Sequence, residues 1–194
     1  MHGHKIMEKV TLKWFNEHII EIFNGECPKV FYCVHENTEV NYGDESDCNL
    51  AYCTEHGIEA FMMHRGGGTI VCSKGNIGVS VVTPTKWGWL CDKFLEAFRS
   101  YLAGRGIGAS INHNDILIDG YKVASCVEQR VGADLERIYS TYQLSVNQDI
   151  DAIAHICQKK MEKVPKALSD YGLTTTDVEN WCNDFFDLLI AQHG

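Results

Sequence analysis

Two stretches of this sequence place side chains and bare backbone where charge could be handled. The first is His64-Arg65-Gly66-Gly67-Gly68-Thr69, which joins two apolar runs. Three consecutive glycines cost backbone entropy, so a folded chain keeps them where φ is positive or where a ligand must come close to the main chain. Successive amides in such a loop can cradle a phosphate or carboxylate, and Arg65 can add a charge-assisted contact. A plain flexible turn is the competing reading, since glycine-rich connections are common. The second stretch runs from Asn114-Asp115-Ile116 through Asp119-Gly120-Tyr121-Lys122 to Val123-Ala124-Ser125. A lysine just past a tight Asp-Gly turn, followed by small residues, leaves room for a ligand to lie along the strand. A solvated edge-strand lysine is the ordinary alternative.

Cysteine usage points elsewhere than to a metal. The nine cysteines are odd in number and scattered through apolar segments, which favours reduced thiols over a disulfide scaffold. There is no CxxC, and Cys53-x-x-His56 is the only short pair resembling a metal half-site, with no second half-site of matching spacing. No metal site is expected.

Charge and composition narrow the partners. With 17 basic and 26 acidic side chains the net charge is −9, and no Lys/Arg cluster offers a footprint for nucleic acid. The chain is 45% apolar with a mean hydropathy of −0.18, a globular composition. No apolar run approaches the roughly 18 to 20 residues that span a bilayer, and Met1-His2-Gly3-His4-Lys5 lacks the apolar core of a signal peptide. These features predict a cytoplasmic protein with neither nucleic acid nor membrane as partner, folded as one domain over 1–194.

The elements that must position the two stretches follow from periodicity. Val10, Leu12, Phe15, Ile19, Ile22 and Phe23 share a helical face that Gly25 terminates, and Lys29–Val34 reads as a strand. Ser46 can cap a helix running to His56, ahead of the apolar run Ile58–Met63. Thr69–Cys72 and Gly78–Thr83, separated by Gly75-Asn76, predict a hairpin, and Asp119-Gly120 predicts another. A helix from Trp87 to Leu102, a strand within Leu135–Val146, and helices over Asp149–Lys160 and Pro165–Tyr171 follow. A last helix opens with the capping box Thr176-x-x-Glu179. The predicted class is α+β, a mostly antiparallel mixed sheet flanked by helices.

In order and separation, these segments resemble the biotin and lipoate ligase superfamily, and within it the lipoate–protein ligases and octanoyltransferases. Trp14-Phe15-Asn16 resembles the family's opening helix. Arg65-Gly-Gly-Gly-Thr-Ile-Val-Cys-Ser-Lys-Gly75-Asn76 resembles its signature loop, and Asn114-Asp115-Ile116 with Asp119-Gly120-Tyr121-Lys122 the segment ending in its active-site lysine. Arg65 followed by three glycines sits on the lipoyl side, because the Gly-Arg-Gly-Arg-x-Gly run of biotin ligases is missing.

The resemblance implies an enzyme that attaches a lipoyl or octanoyl group to a lysine of a carrier domain. In the ligase branch the implied cofactors are ATP and Mg, with lipoate or octanoate as substrate. Arg65, Gly66, Gly67, Gly68, Asn76, Asn114, Asp115 and Ser125 would surround the acyl-adenylate, with Lys122 at its carbonyl and phosphate oxygens. In the octanoyltransferase branch an acyl-carrier protein donates the octanoyl group to a cysteine nucleophile, for which Cys157 is the candidate. The chain departs from the family where Cys72 replaces its usual His and Ser73 the ligases' Asp. At 194 residues the chain is expected to lack the extra C-terminal domain of many ligases, which leaves room for a separate accessory subunit. A member of the fold that binds acyl ligand or partner without turnover is the third alternative.

Overall fold

The computed structural model describes residues 7–63, 68–159 and 163–193. A short strand β1 (Met7–Lys9) leads into α1 (Leu12–Asn24), whose first turn is capped by the Thr11 side chain accepting from the Trp14 N–H. Leu12, Phe15, Ile19, Ile22 and Phe23 form its buried face, the spacing read from the sequence. Strand β2 (Lys29–Val34) follows, then β3 (Glu39–Tyr42), α2 (Leu50–Glu55), β4 (Glu59–Met62), β5 (Ile70–Cys72) and β6 (Ile77–Pro84). The second half contributes α3 (Cys91–Gly104), β7 (Ser110–Asn112), β8 (Asp115–Ile118), β9 (Tyr121–Val131), β10 (Arg137–Leu144), α4 (Ile150–Ile156) and α5 (Thr175–His193). No helix among the described residues is long and apolar enough to cross a membrane.

Among the described residues the strands form two sheets. The larger has seven in the order β1-β2-β6-β10-β9-β8-β7, and the smaller has three in the order β4-β3-β5. Most pairs are antiparallel, while β1/β2 and β3/β4 are parallel, so the fold is α+β with a mixed sheet as predicted. One face of the large sheet packs against α3 and α5 through Phe94, Phe98, Tyr142, Leu144 and Phe186. The other receives α1, where Phe15, Ile19 and Phe23 meet Phe31, Val82 and Tyr139.

Several local expectations are corrected. Gly75-Asn76 does turn, with Gly75 at φ 85, yet β5 pairs with β3 and β6 with β2 and β10. The turn therefore carries the chain between sheets, because its amide and carbonyl pair with the main chain of His35. Asn49 rather than Ser46 caps α2, and Gly88, at φ 73, separates Trp87 from α3. The box that opens α5 is Thr174 with Asp177, each side chain bonding the other's N–H, two residues ahead of the predicted pair. Helix α4 stops at Ile156, and Pro165–Tyr171 is not a helix: a single 3-10 turn covers Leu168–Tyr171. The Asp119-Gly120 hairpin is present, with both residues at positive φ.

Candidate functional site

Between the large sheet, α1 and the small sheet lies a cavity of about 250 Å³. Strand register builds its floor. Cys33, Gly78, Gln143, Ser125 and Asp115 are successive partners across β2, β6, β10, β9 and β8, and Phe31, Ser80, Thr141 and Val127 form the next row. Side chains alternate between faces along a strand, so these rows share one face. The deep end is apolar and aromatic, where Phe15, Ile19 and Phe23 of α1 close over Phe31 and Tyr139. Gly68, Asn41, Ile70 and Cys72 border it from the small-sheet side.

The lysine reaches this face through an irregularity. Ile116 pairs with Ala124 but Leu117 pairs with Lys122, so Val123 is an extra residue in β9. A bulge places two consecutive residues on one side. Val123 and Ala124 both lie buried in the core beneath α3, which returns Lys122 to the face of Ser125. The expectation that Ala124 lines a ligand space is corrected by the same observation.

At the Ser125 end two cations share one carboxylate. Lys122 Nζ lies 3.0 Å from Asp115 Oδ1, and Lys163 Nζ lies 2.6 Å from Asp115 Oδ2. The Lys122 N–H donates to the Val164 carbonyl at 3.0 Å, and its own carbonyl accepts from the Lys166 N–H at 2.9 Å. A strand-like strap over 163–166 thus grips the lysine's backbone and delivers Lys163. Two ammonium groups against one carboxylate leave an excess positive charge beside the cavity's polar end, an arrangement that attracts an anion. Lys163 was not legible in the sequence, where it falls between the predicted helices Asp149–Lys160 and Pro165–Tyr171.

The remaining candidates separate. Arg65, Gly66 and Gly67 lie outside the described residues, whereas Gly68 and Ser125 line the cavity. Asp115 and Lys122 stand together beside the cavity-lining Ser125, on the same sheet face, but neither lines the cavity itself. Asn114 is exposed in the two-residue turn joining β7 to β8, and its carbonyl accepts the Cys126 N–H at 2.8 Å, which seats β9. Asn76 is 1% exposed, its side-chain oxygen accepting the Asn147 N–H at 2.8 Å; it braces the inter-sheet turn and does not line the cavity. Ser73 likewise accepts the Asp149 N–H at 2.8 Å. Cys72 does line the cavity, where burial above all, with Glu39 and Cys33, pushes its thiol up.

Cys157 stands apart. It follows α4, bridges to the backbone of Cys48 and is not among the cavity-lining residues. Burial and Cys53 push its thiol up from 9.0, opposite to the shift that makes a cysteine a ready nucleophile. The sequence reading also passed over Cys33, His35 and Glu39, which the fold gathers at the β2 edge of the cavity. Their C-x-H-x-x-x-E spacing was the available signal, obscured because only β3, unpredicted, brings Glu39 back.

Comparison with known proteins places this arrangement. The chain resembles a Thermoplasma acidophilum protein described as a bi-partite lipoate protein ligase studied with its E2 lipoyl domain. The TM-score is 0.74 at 18% identity, covering 98% of this chain and 85% of that one. It also resembles LipL1 of P. falciparum in complex with lipoate, with a TM-score of 0.73 at 13% identity over 96% of this chain and 60% of that one. A lipoate-protein ligase A bound with ATP gives 0.72 at 19% identity over 98% and 86%. At such identities the likeness speaks to fold alone. No curated protein sequence matches the chain. The model of the lipoyl protein ligase A/B catalytic domain, however, matches residues 10–186, and the chain belongs to that family.

Proposed function

We propose that this protein attaches a lipoyl or octanoyl group to a lysine of a carrier domain by way of an acyl-adenylate. One observation carries the proposal: a cavity lined by aromatic side chains under α1 and by Ser125, whose strand partner Asp115 holds a pair of lysines. A volume of about 250 Å³ lies just under the roughly 300 Å³ at which drug-sized clefts begin, which suits one short acyl chain. Neighbours of this fold carry lipoate and ATP, which supports those two as substrates. The bi-partite ligase and its lipoyl domain support a lipoyl carrier domain as acceptor and a separate accessory subunit as a partner.

In this mechanism the aromatic end buries the hydrocarbon, and the carboxyl end lies beside Ser125. Lys122 contacts the acyl carbonyl and phosphate oxygens, and Lys163 adds a second cation for the phosphate. ATP supplies the activation, AMP becoming the leaving group on the acyl carbon. The accepting amine, in its unprotonated form, attacks that carbon, a C–N bond forms, the C–O bond to phosphate breaks with its electron pair leaving on AMP, and the amine's surplus proton passes to solvent. Lys122 stabilises the oxyanion that develops meanwhile. Asp115 has both oxygens engaged by lysines, so it would not be free to hold the magnesium that a nucleotide brings with it.

Incubating the protein with octanoate, ATP and a lipoyl domain, and in parallel with octanoyl-acyl carrier protein, tests this by the mass of the acceptor. Acylation dependent on ATP, with pyrophosphate release and undiminished rate in Cys157→Ser, is the expected result. A hydroxylamine-labile octanoyl adduct on Cys157 would assign the octanoyltransferase route instead. Octanoate binding without transfer would make the protein a non-catalytic binder.

A further inference from the structure

The wall opposite the lysines carries a cluster that acyl transfer does not use. His35 is 2% exposed and Cys33 9%. Cys33 Sγ lies 3.9 Å from His35 Nδ1, and His35 Nδ1 lies 2.7 Å from Glu39 Oε2. Among the described residues these three form a group whose ligand atoms all lie within 4.8 Å of one another. Their backbones are fixed independently of the side chains. Cys33 sits in the β2 ladder and Glu39 in β3, while His35 is held by its N–H to the Asn76 carbonyl at 3.0 Å and its carbonyl to the Gly75 N–H at 2.7 Å.

We propose that Cys33, His35 and Glu39 form a binding site for a zinc-class divalent ion that clips the small sheet to the large one. The donor set is a thiol, an imidazole and a carboxylate, the types that bind zinc, and three protein ligands leave one position open. Sulfur and nitrogen together disfavour magnesium and calcium, which take oxygen. Charge balances: a thiolate, a neutral imidazole and a carboxylate sum to −2 against the ion's +2, which suits a largely buried wall. The fit needs little movement. With zinc bonds of about 2.3 Å to sulfur and about 2.0 Å to nitrogen and oxygen, tetrahedral geometry sets sulfur ~3.5 Å from nitrogen and nitrogen ~3.3 Å from oxygen. The first pair must close from 3.9 Å and the second open from 2.7 Å.

Metal at Nδ1 leaves the proton on Nε2, which points over Gly78. A Cβ built there would lie 3.5 Å from His35 Nε2 and 3.4 Å from Gln143 Oε1, so an acceptor borders the same space, as ligating histidines require. The open position faces the cavity beside Cys72, since Cys33, His35 and Cys72 all line it. Glu39 belongs to the small sheet and the other two ligands to β2 and its end, so the ion would tie the sheets together at this wall. The site goes beyond the acyl-transfer proposal and does not depend on it.

Titrating the metal-free full-length chain with Co²⁺ tests the site, read as a sulfur-to-cobalt charge-transfer band and as the thermal midpoint after zinc replaces cobalt. One equivalent should develop the band, zinc should abolish it, and zinc should raise the midpoint. Cys33→Ser should lose the band and the zinc-induced rise, with unchanged circular dichroism and metal-free midpoint. Glu39→Gln should weaken cobalt binding at least tenfold while keeping the band at saturation. No band in the wild type would overturn the proposal. So would a band that survives Cys33→Ser, which would place the ion elsewhere, as at Cys53 with His56. Acyl transfer enters none of these readouts, so its failure would leave the site standing.

Discussion

Gly78 offers the sharpest test of where the acyl chain lies. It is the second residue of β6, paired between Cys33 and Gln143 on the cavity floor. It is not among the glycines at positive φ, so an L side chain is compatible with its backbone. A Cβ there would meet Gln143 Oε1 at 3.4 Å and His35 Nε2 at 3.5 Å, ordinary contacts. Replacing a strand glycine should therefore leave stability unchanged or raise it, by up to about 0.5–1 kcal/mol for Gly78→Ala. The added carbons occupy space the substrate needs. At about 0.8 kcal/mol per buried methylene, Gly78→Ala displaces one methylene and weakens octanoate about fourfold. Gly78→Val displaces up to three, ~2.4 kcal/mol, which is roughly 60-fold at 1.36 kcal/mol per tenfold. The assay is KM for saturated acids of increasing length, alongside a thermal melt. The valine loss should grow with chain length and fade for the shortest acids, with the midpoint held. A valine variant that keeps wild-type KM and length preference would refute this placement of the chain.

The site and the scaffold make further demands. Lys122→Ala should lower kcat about 10²- to 10³-fold, the cost of removing one oxyanion donor, with an unchanged melt, and Lys122→Arg should not restore it, because a planar guanidinium differs in reach; single-turnover rates check both. Lys163→Ala should raise KM for ATP by about tenfold with kcat less affected, since it removes one charge-assisted contact, and steady-state kinetics with varied ATP would show it. Thr174→Ala should destabilise by about 1 kcal/mol as a lost N-cap. The Asp177 carboxyl is held below 3.8 chiefly by hydrogen bonds from the Thr174 hydroxyl and N–H. A depressed acid contributes fully above its unfolded value and loses the contribution as pH falls through its folded value. The gap between the wild-type and Thr174→Ala melting midpoints should therefore narrow below about pH 4.

What the sequence made legible divides by range of interaction. Helix α1 was readable because Leu12, Phe15, Ile19, Ile22 and Phe23 mark a single face. The Asp119-Gly120 hairpin was readable because both turn residues take positive φ, a demand met within four residues. The Gly75-Asn76 turn has the same local chemistry but a different outcome. Its backbone groups are claimed by His35, some forty residues earlier, and no local rule anticipates that competitor. Strand β3 went unseen for a related reason. Glu39-Val40-Asn41-Tyr42 is half polar, and its polar half is inward: Asn41 lines the cavity while Val40 packs against α2 and α4. With only four residues, two of them polar, the alternation is too short to stand out from a loop.

The placement of Lys122 shows how site and scaffold depend on each other. Counting back from Ser125 in a regular pleat, Val123 would face the cavity and Lys122 would point with Ala124 toward Phe94, Tyr142 and Leu144. An ammonium in that apolar layer, without a partner, would be expelled or deprotonated. Instead the chain spends one extra residue, Val123, which stays in the core with Ala124 while the next residue crosses the sheet. Two contacts hold this register, one across the hairpin and one from a distant segment. Asp115 attracts the lysine from the neighbouring strand, and the 164–166 strap takes up the Lys122 amide and carbonyl that the irregular ladder leaves free. The same strap supplies Lys163 to the same carboxylate. Asp115 therefore sets the distance between the two cations as well as neutralising one of them. Asp115→Asn should for that reason disturb the site more than the loss of a spectator charge would, since it frees both lysines at once.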